Sequence, residues 1–203
     1  MRDVALTHIE ETLAQQDLPA VSNAHLCASG VDLNAIVALD ELLTVLKPVP
    51  SFRNASMRVG RRMMESAQPL YSSLIADRYL HAIRNGATDG HHAVAFGVVT
   101  CAAGSAAGST AGSTTGCAAG IERADAVTAF AASSLNSYVA AAVRLGVIGQ
   151  RAAQRIIATL EPALMAAIAM APLVALEDLG GYMPSIDIAG MRQPALAARM
   201  FAS

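Results

Sequence analysis

The side chains best suited to chemistry in this 203-residue chain are five histidines, three cysteines and a row of arginines. His91 and His92 form the one histidine cluster, with Asp89 just before them. Adjacent residues on a helix point about 100° apart, so the pair reads as a weak surface metal site or as capping and packing at a helix start. Arg53, Arg58, Arg61 and Arg62 share one expected helix. They offer a forked binding face for phosphate or carboxylate, or a plain solvated face. Cys27, Cys101 and Cys117 are odd in number and lack C-x-x-C spacing. Neither a disulfide framework nor a zinc knuckle is expected, and a reducing cytoplasm is the simplest setting. No phosphate-binding loop, dinucleotide fingerprint, nucleophile elbow or H-E-x-x-H occurs, and no carboxylate pair sits on a face beside a histidine. No catalytic residue is assigned.

The elements that must position these residues read as helices. Leu6, Ile9 and Leu13 share a face over Val4 to Gln15, and Leu18-Pro19 is expected to end that helix. Asp32 is placed to cap a helix through Leu46, and Lys47-Pro48-Val49-Pro50 stops it. A helix capped by Ser51 runs to about Gln68, and another follows Pro69 and closes at Asn85-Gly86. An apolar helix starts at His91. From Cys101 to Gly120 glycines recur every fourth residue, at 104, 108, 112, 116 and 120. This stretch reads as a surface-loop insertion, or as a helix whose small face admits a close neighbour. Glu122 or Asp125 opens a helix to about Leu145, and Gln150 to Met170 forms another, bent or split at Glu161-Pro162. No stretch alternates with period two. The fold expected is all-α, a single-domain bundle of about seven to nine helices over residues 1–203, with a C-terminal tail at 184–203.

Composition agrees. The chain holds 43 alanines and no Trp, with 54% hydrophobic and 15% charged residues; an average domain is about 25% charged. Ala favours closely packed helices. Lys+Arg 14 against Asp+Glu 16 excludes a polybasic nucleic-acid binder. The start of the chain, with Arg2, Asp3, Glu10 and Glu11, has no apolar run and does not read as a secretory signal. No membrane span is expected: Ala93 to Gly120 is poor in large apolar residues, and Ile156 to Ala175 contains Glu161 and Pro162. The low charge leaves apolar surface for partners.

Particular strings carry a resemblance. Ser56-Met-Arg-Val-Gly-Arg61 resembles the Ser-Leu-Arg-Leu-Gly-Arg motif of the urease accessory protein family UreF. His92-Ala-Val-Ala-Phe-Gly97 is similar to that family's His-(Pro/Ala)-Val-(Ala/Val)-Phe-Gly. Val143-Arg144-Leu145 followed by Gly149-Gln150 is similar to its Val-Arg-Leu-Ile-Pro-Leu-Gly-Gln. Pro184-Ser-Ile-Asp187-Ile-Ala-Gly-Met-Arg192, then Leu196, Arg199, Phe201 and Ser203, resembles its C-terminal tail. The resemblance covers roughly Lys47 to Ser203. Departures are Val147 for the family's Pro, Gln193-Pro194-Ala195 for His-Glu-Thr, the glycine-rich insertion, and the absence of the family's opening Ser-Asp-Ser and Ser-x-Gly-Leu-Glu segments, so the chain reads as beginning inside the family's usual length.

The resemblance implies a non-catalytic, often dimeric, cytoplasmic helical protein. It implies binding to UreD (UreH), recruitment of the GTPase UreG, and nickel insertion into apo-urease, with nickel handled in the complex and no tightly bound cofactor. It assigns partner docking to Arg192, Arg199, Phe201 and Ser203. It assigns dimer contact or a nickel route to Ser56, Arg58, Gly60 and Arg144. Nucleic acid and membrane are not expected partners. The alternatives are a truncated relative without activity and a small helical metal-binding protein using His91 and His92.

Overall fold

The computed structural model describes residues 2–71, 73–107, 121–181 and 184–192. Among them lie nine α-helices, one π-helix and two short 3-10 turns, with no strand. The chain opens on α1 (Arg2–Thr7), a π-helix (His8–Asp17) and α2 (Leu18–Ser29), which follow one another without a break. Then come α3 (Leu33–Leu46), α4 (Pro50–Ala67), α5 (Leu74–Arg84), α6 (His92–Ala107), α7 (Arg123–Arg144), α8 (Gln150–Met170) and α9 (Pro184–Arg192).

Pro19 does not end the first helix, contrary to the sequence expectation. Proline lacks an N–H and leaves the carbonyl four residues back without its partner. Here that carbonyl is Gln15 O, and it accepts the N–H of Gly180 at 3.0 Å. Just upstream the bonding shifts to the π pattern, with the Leu18 N–H reaching Leu13 O. The turn widens where the proline ring needs room, and the helix continues to Ser29. A π-helix of ten residues is long for a form usually seen as a single-turn bulge.

The other boundaries follow local rules. Asp32 caps α3 by accepting the Ala35 N–H at 3.0 Å. Pro50, not Ser51, opens α4, because proline's fixed φ suits the first helical position. Gly86, at φ +72°, closes the turn after α5. Pro162 lies inside an unbroken α8, on its exposed face, so the helix neither splits nor ends there. At the tail a helix spans Pro184–Arg192, and residues 193–203 lie outside the described residues. The glycine repeat divides: its first residues, through Ala107, continue α6, and residues 108–120 lie outside the described residues.

The core sits around α6. Ala93, Val94, Ala95, Val98, Cys101 and Ala102 are all buried, as befits a helix apolar on every side. Its main partners are α2, α4 and α7, and α8 covers α7 and the π-helix. Ala20, Ala24 and Ala28 of α2 keep that approach close. Gly97 marks the tightest point: a Cβ there would stand 2.6 Å from Val21 O and 2.7 Å from Ala24 Cβ. By length and composition Arg123–Arg144 and Gln150–Leu173 would each reach across a membrane. In this fold α7 buries Val127, Phe130, Leu135 and Val139, and α8 buries Leu160, Leu164 and Ala167.

Cys101 is disulfide-bonded, whereas Cys27 is free. Cysteine spacing gave no sign of this, because a disulfide depends on proximity in space. The partner of Cys101 lies outside the described residues.

Gly97→Ala overpacks the α2–α6 crossing. It is expected to destabilise the fold by about 1–3 kcal/mol, read as a lowered urea midpoint at unchanged slope; an unchanged midpoint would contradict the crossing geometry.

Candidate functional site

Ser56, Gly60, His91 and His92 converge where α3, α4 and the start of α6 meet. Asp40 sits on the inward stripe of α3 with Ile36, Leu39 and Leu43, and is fully buried. Its Oδ2 accepts from Thr88 Oγ1 and from the Gly90 N–H, both at 2.6 Å, and its Oδ1 accepts from the His91 N–H at 2.7 Å. One carboxylate thus satisfies the turn that enters α6. The φ of +80° at Gly90 bends the chain there, and a side chain would collide with Ile83.

His91 is fully buried and both ring nitrogens are engaged. Thr44 Oγ1 lies 2.6 Å from Asp89 Oδ2, to which it donates, and 2.9 Å from His91 Nε2. The hydroxyl has one proton, so Nε2 donates to it. Burial favours the neutral ring, in which Nδ1 is the acceptor for Ser56 Oγ, at 3.1 Å. Ser56 Oγ in turn accepts the His92 N–H at 3.2 Å. The chain runs in one direction, from the His92 amide through Ser56, His91 and Thr44 to Asp89, and it requires a neutral imidazole. Burial pushes His91 below the usual histidine range, against the pull of Asp40. Tyr79, packed beneath, has a buried hydroxyl with no direct hydrogen bond among the described residues. Burial first, then the charge of Asp40, pushes its ionisation well above the ordinary range.

Gly60 completes the crossing. A Cβ there would stand 2.2 Å from Gly90 O and 2.7 Å from His91 C, so only glycine lets α4 lie this close to the α6 start. Ser56 and Gly60, one turn apart on α4, both face α6, whereas Arg58 between them is exposed. Arg61 and Arg62 are exposed as well. Arg144 ends α7 on the surface, where a cation complements the helix C-terminus. The ring of His92 packs against Phe96 and Phe130 at centroid separations of 6.2 and 5.0 Å. Burial lowers its pKa also. No group of three metal-ligating side chains stands together among the described residues. The chemistry of this cluster is to hold helices together: its hydroxyls and imidazole are bonded to one another.

The tail residues are only partly placed. Arg192 is exposed at the end of α9, and Arg199, Phe201 and Ser203 lie outside the described residues. The helix α9 lies on the start of α4, with Gly190 against Phe52 and Val49. Sequence reasoning missed Asp40, Thr44 and Thr88. The signal for Asp40 was present as a single acid on an otherwise apolar stripe. It also missed the outer face of the C-terminal half of α8, where Met165 and Met170 are 55% and 54% exposed and Leu173, just beyond, is 74% exposed, with Ala166 and Ala169 between. An apolar face of this kind marks an interaction surface.

The UreF family profile matches residues 1–115 and 109–161. The urease accessory protein UreF of Rhodopseudomonas palustris is 34% identical over 187 residues, covering 92% of this chain and 70% of that protein. That of Paenarthrobacter aurescens is 28% identical over 174 residues, covering 86% and 70%. That of Sporosarcina pasteurii is 24% identical over 196 residues, covering 97% and 89%. The likeness therefore extends upstream of Lys47, where the recognisable strings begin.

Stability should depend on pH through the buried histidines. His8, His25, His91 and His92 all have pKa values lowered by burial from 6.5. The unfolded chain then binds protons that the folded chain refuses, so stability is full above the unfolded value and falls as pH drops below it. Urea unfolding is expected to show a midpoint that declines between about pH 7 and pH 5, with a shallower decline in His91→Gln. A midpoint that is flat or rises on acidification would contradict the neutral-imidazole network.

Proposed function

This chain belongs to the UreF family of urease accessory proteins, and from that premise we propose that it is an adaptor in nickel insertion, bridging a UreD-type (UreH) protein and the GTPase UreG on apo-urease. Family membership along most of the chain is the observation that carries the reading. The exposed apolar face of α8 supports it, since an adaptor needs surface to give to partners. So does the tail helix, which the α4 contact holds against the body with Arg192 pointing away from the core.

In this reading docking rests on Arg192 with Arg199, Phe201 and Ser203. Aromatic and Arg side chains are the usual anchors of interface centres. Arg58 and Arg144 are exposed and suit a second contact, with a further copy of the chain in a homodimer. Ser56 and Gly60 act by fixing α4 to α6, so that Arg58 is presented outward. The protein supplies surface and geometry, works in the cytoplasm, and leaves GTP hydrolysis to its partner. Nickel is cargo of the assembled complex.

Co-expression with the UreD partner tests this. The full chain is expected to co-purify with UreD, and a chain ending at Met183 is expected to lose that binding while keeping its helical circular dichroism. Retention by neither form would contradict the adaptor reading. Retention by both would move the docking surface off the tail.

A further inference from the structure

The widened turn of the π-helix builds something beyond the docking surfaces. Bonding five residues back puts more than four residues in a turn, so positions four or five apart share a face. His8, Thr12 and Gln16, with Asp17 beside it, therefore line one wall of a cavity of about 300 Å³. The opposite wall is the bend between α3 and α4, from Leu46 to Phe52, and Asp187 of α9 reaches the same space. A cavity of this size is at the lower end of small-molecule sites and roughly twice one that holds benzene.

Its polar groups are unequal. Gln16 is 4% exposed, and its Nε2 has no hydrogen-bond partner among the described residues. A buried amide donor left so is costly, and Gln16 is one of the residues that line the cavity. Lys47 Nζ is committed to Asp17 Oδ1 at 2.8 Å. The cation is thereby neutralised, and the Asp187 carboxylate remains. The apolar surface comes from Phe52, Val49 and Tyr138, whose ring stacks on His8 at 5.5 Å and 17°. Burial lowers the His8 pKa, so that ring adds no positive charge at neutral pH.

We propose that this cavity is a binding site for a small neutral molecule that carries a carbonyl next to an N–H, an amide, urea or lactam, on a flat apolar body. The carbonyl accepts from Gln16 Nε2, the N–H donates to a carboxylate of Asp17 or Asp187, and the flat body lies against Tyr138 and Phe52. An anionic ligand meets two carboxylates and a cation already paired; a purely apolar one leaves the Gln16 donor unmet. The site does not depend on the adaptor role, since no partner surface enters the argument.

Benzamide, benzoate and toluene serve as probes in ligand-observed saturation-transfer NMR on the full chain. Benzamide is expected to bind at millimolar concentration, with benzoate and toluene at least about tenfold weaker. Gln16→Met keeps the volume and removes the donor, and should weaken benzamide by about tenfold or more. Should Gln16→Met fail to fold by circular dichroism, the ranking of the three probes on the unaltered chain reads the same contact. Absence of benzamide binding, equal binding of all three probes, or full binding to a folded Gln16→Met would each overturn the proposal.

Discussion

The carboxylate of Asp40 is the contact on which the rest of the arrangement depends. It sits on an apolar stripe of α3, where a polar group is tolerated only with its bonds complete. Three donors from residues 88–91 complete them. That fixes the turn into α6, and α6 is the helix on which α2, α4 and α7 pack. Once the turn is fixed, His91 stands between α3 and α4 and joins Thr44 to Ser56. Gly60 then lets α4 close onto the same spot. Remove the acceptor and three buried donors are stranded together, which is why one acid outweighs the many small apolar contacts around it.

A second constraint acts from the other end of the chain. Pro19 would break an α-helix, yet the chain here runs on through it. Pro19 stands in the first turn of α2, where proline is tolerated, and the Gly180 N–H, from far along the chain, bonds to Gln15 O beside it. Gly181 passes close to Glu11 O in the same contact. This ties the segment before α9 to the π-helix, and α9 to α4 through Gly190. The helix α9 and the segment before it are thus each held by the body of the protein.

These two constraints also mark how far the sequence could be read. Helices with local signals were legible: Asp32 capping α3, Gly86 closing α5, and the apolar run of α6. So was the family, because its strings are short and ordered. Pro19 was misread because it stands in the first turn of a new helix that follows the π-helix directly, a junction no local window shows. The π-helix has no periodic signature that separates it from an α-helix over ten residues. Ser56 and Gly60 were singled out by the motif, but their task was not visible. A hydroxyl bonded to His91 and a Cβ that would meet Gly90 O belong to the crossing, not to either helix alone. The disulfide at Cys101 was equally invisible to spacing.

The motif that identifies the family is thereby explained in part as architecture. Its Ser and Gly hold α4 to α6, and its first Arg, on the other face, is free to serve surface contacts. The central claim is that Asp40 makes the α6 start part of the folded core. Amide hydrogen exchange at Gly90 and His91, whose N–H groups bond to Asp40, measures this most directly. The account predicts that both exchange only through global unfolding, within about 1 kcal/mol of the most protected core amides. Exchange through local opening, as fast as that of the exposed residues of the same turn, would contradict it.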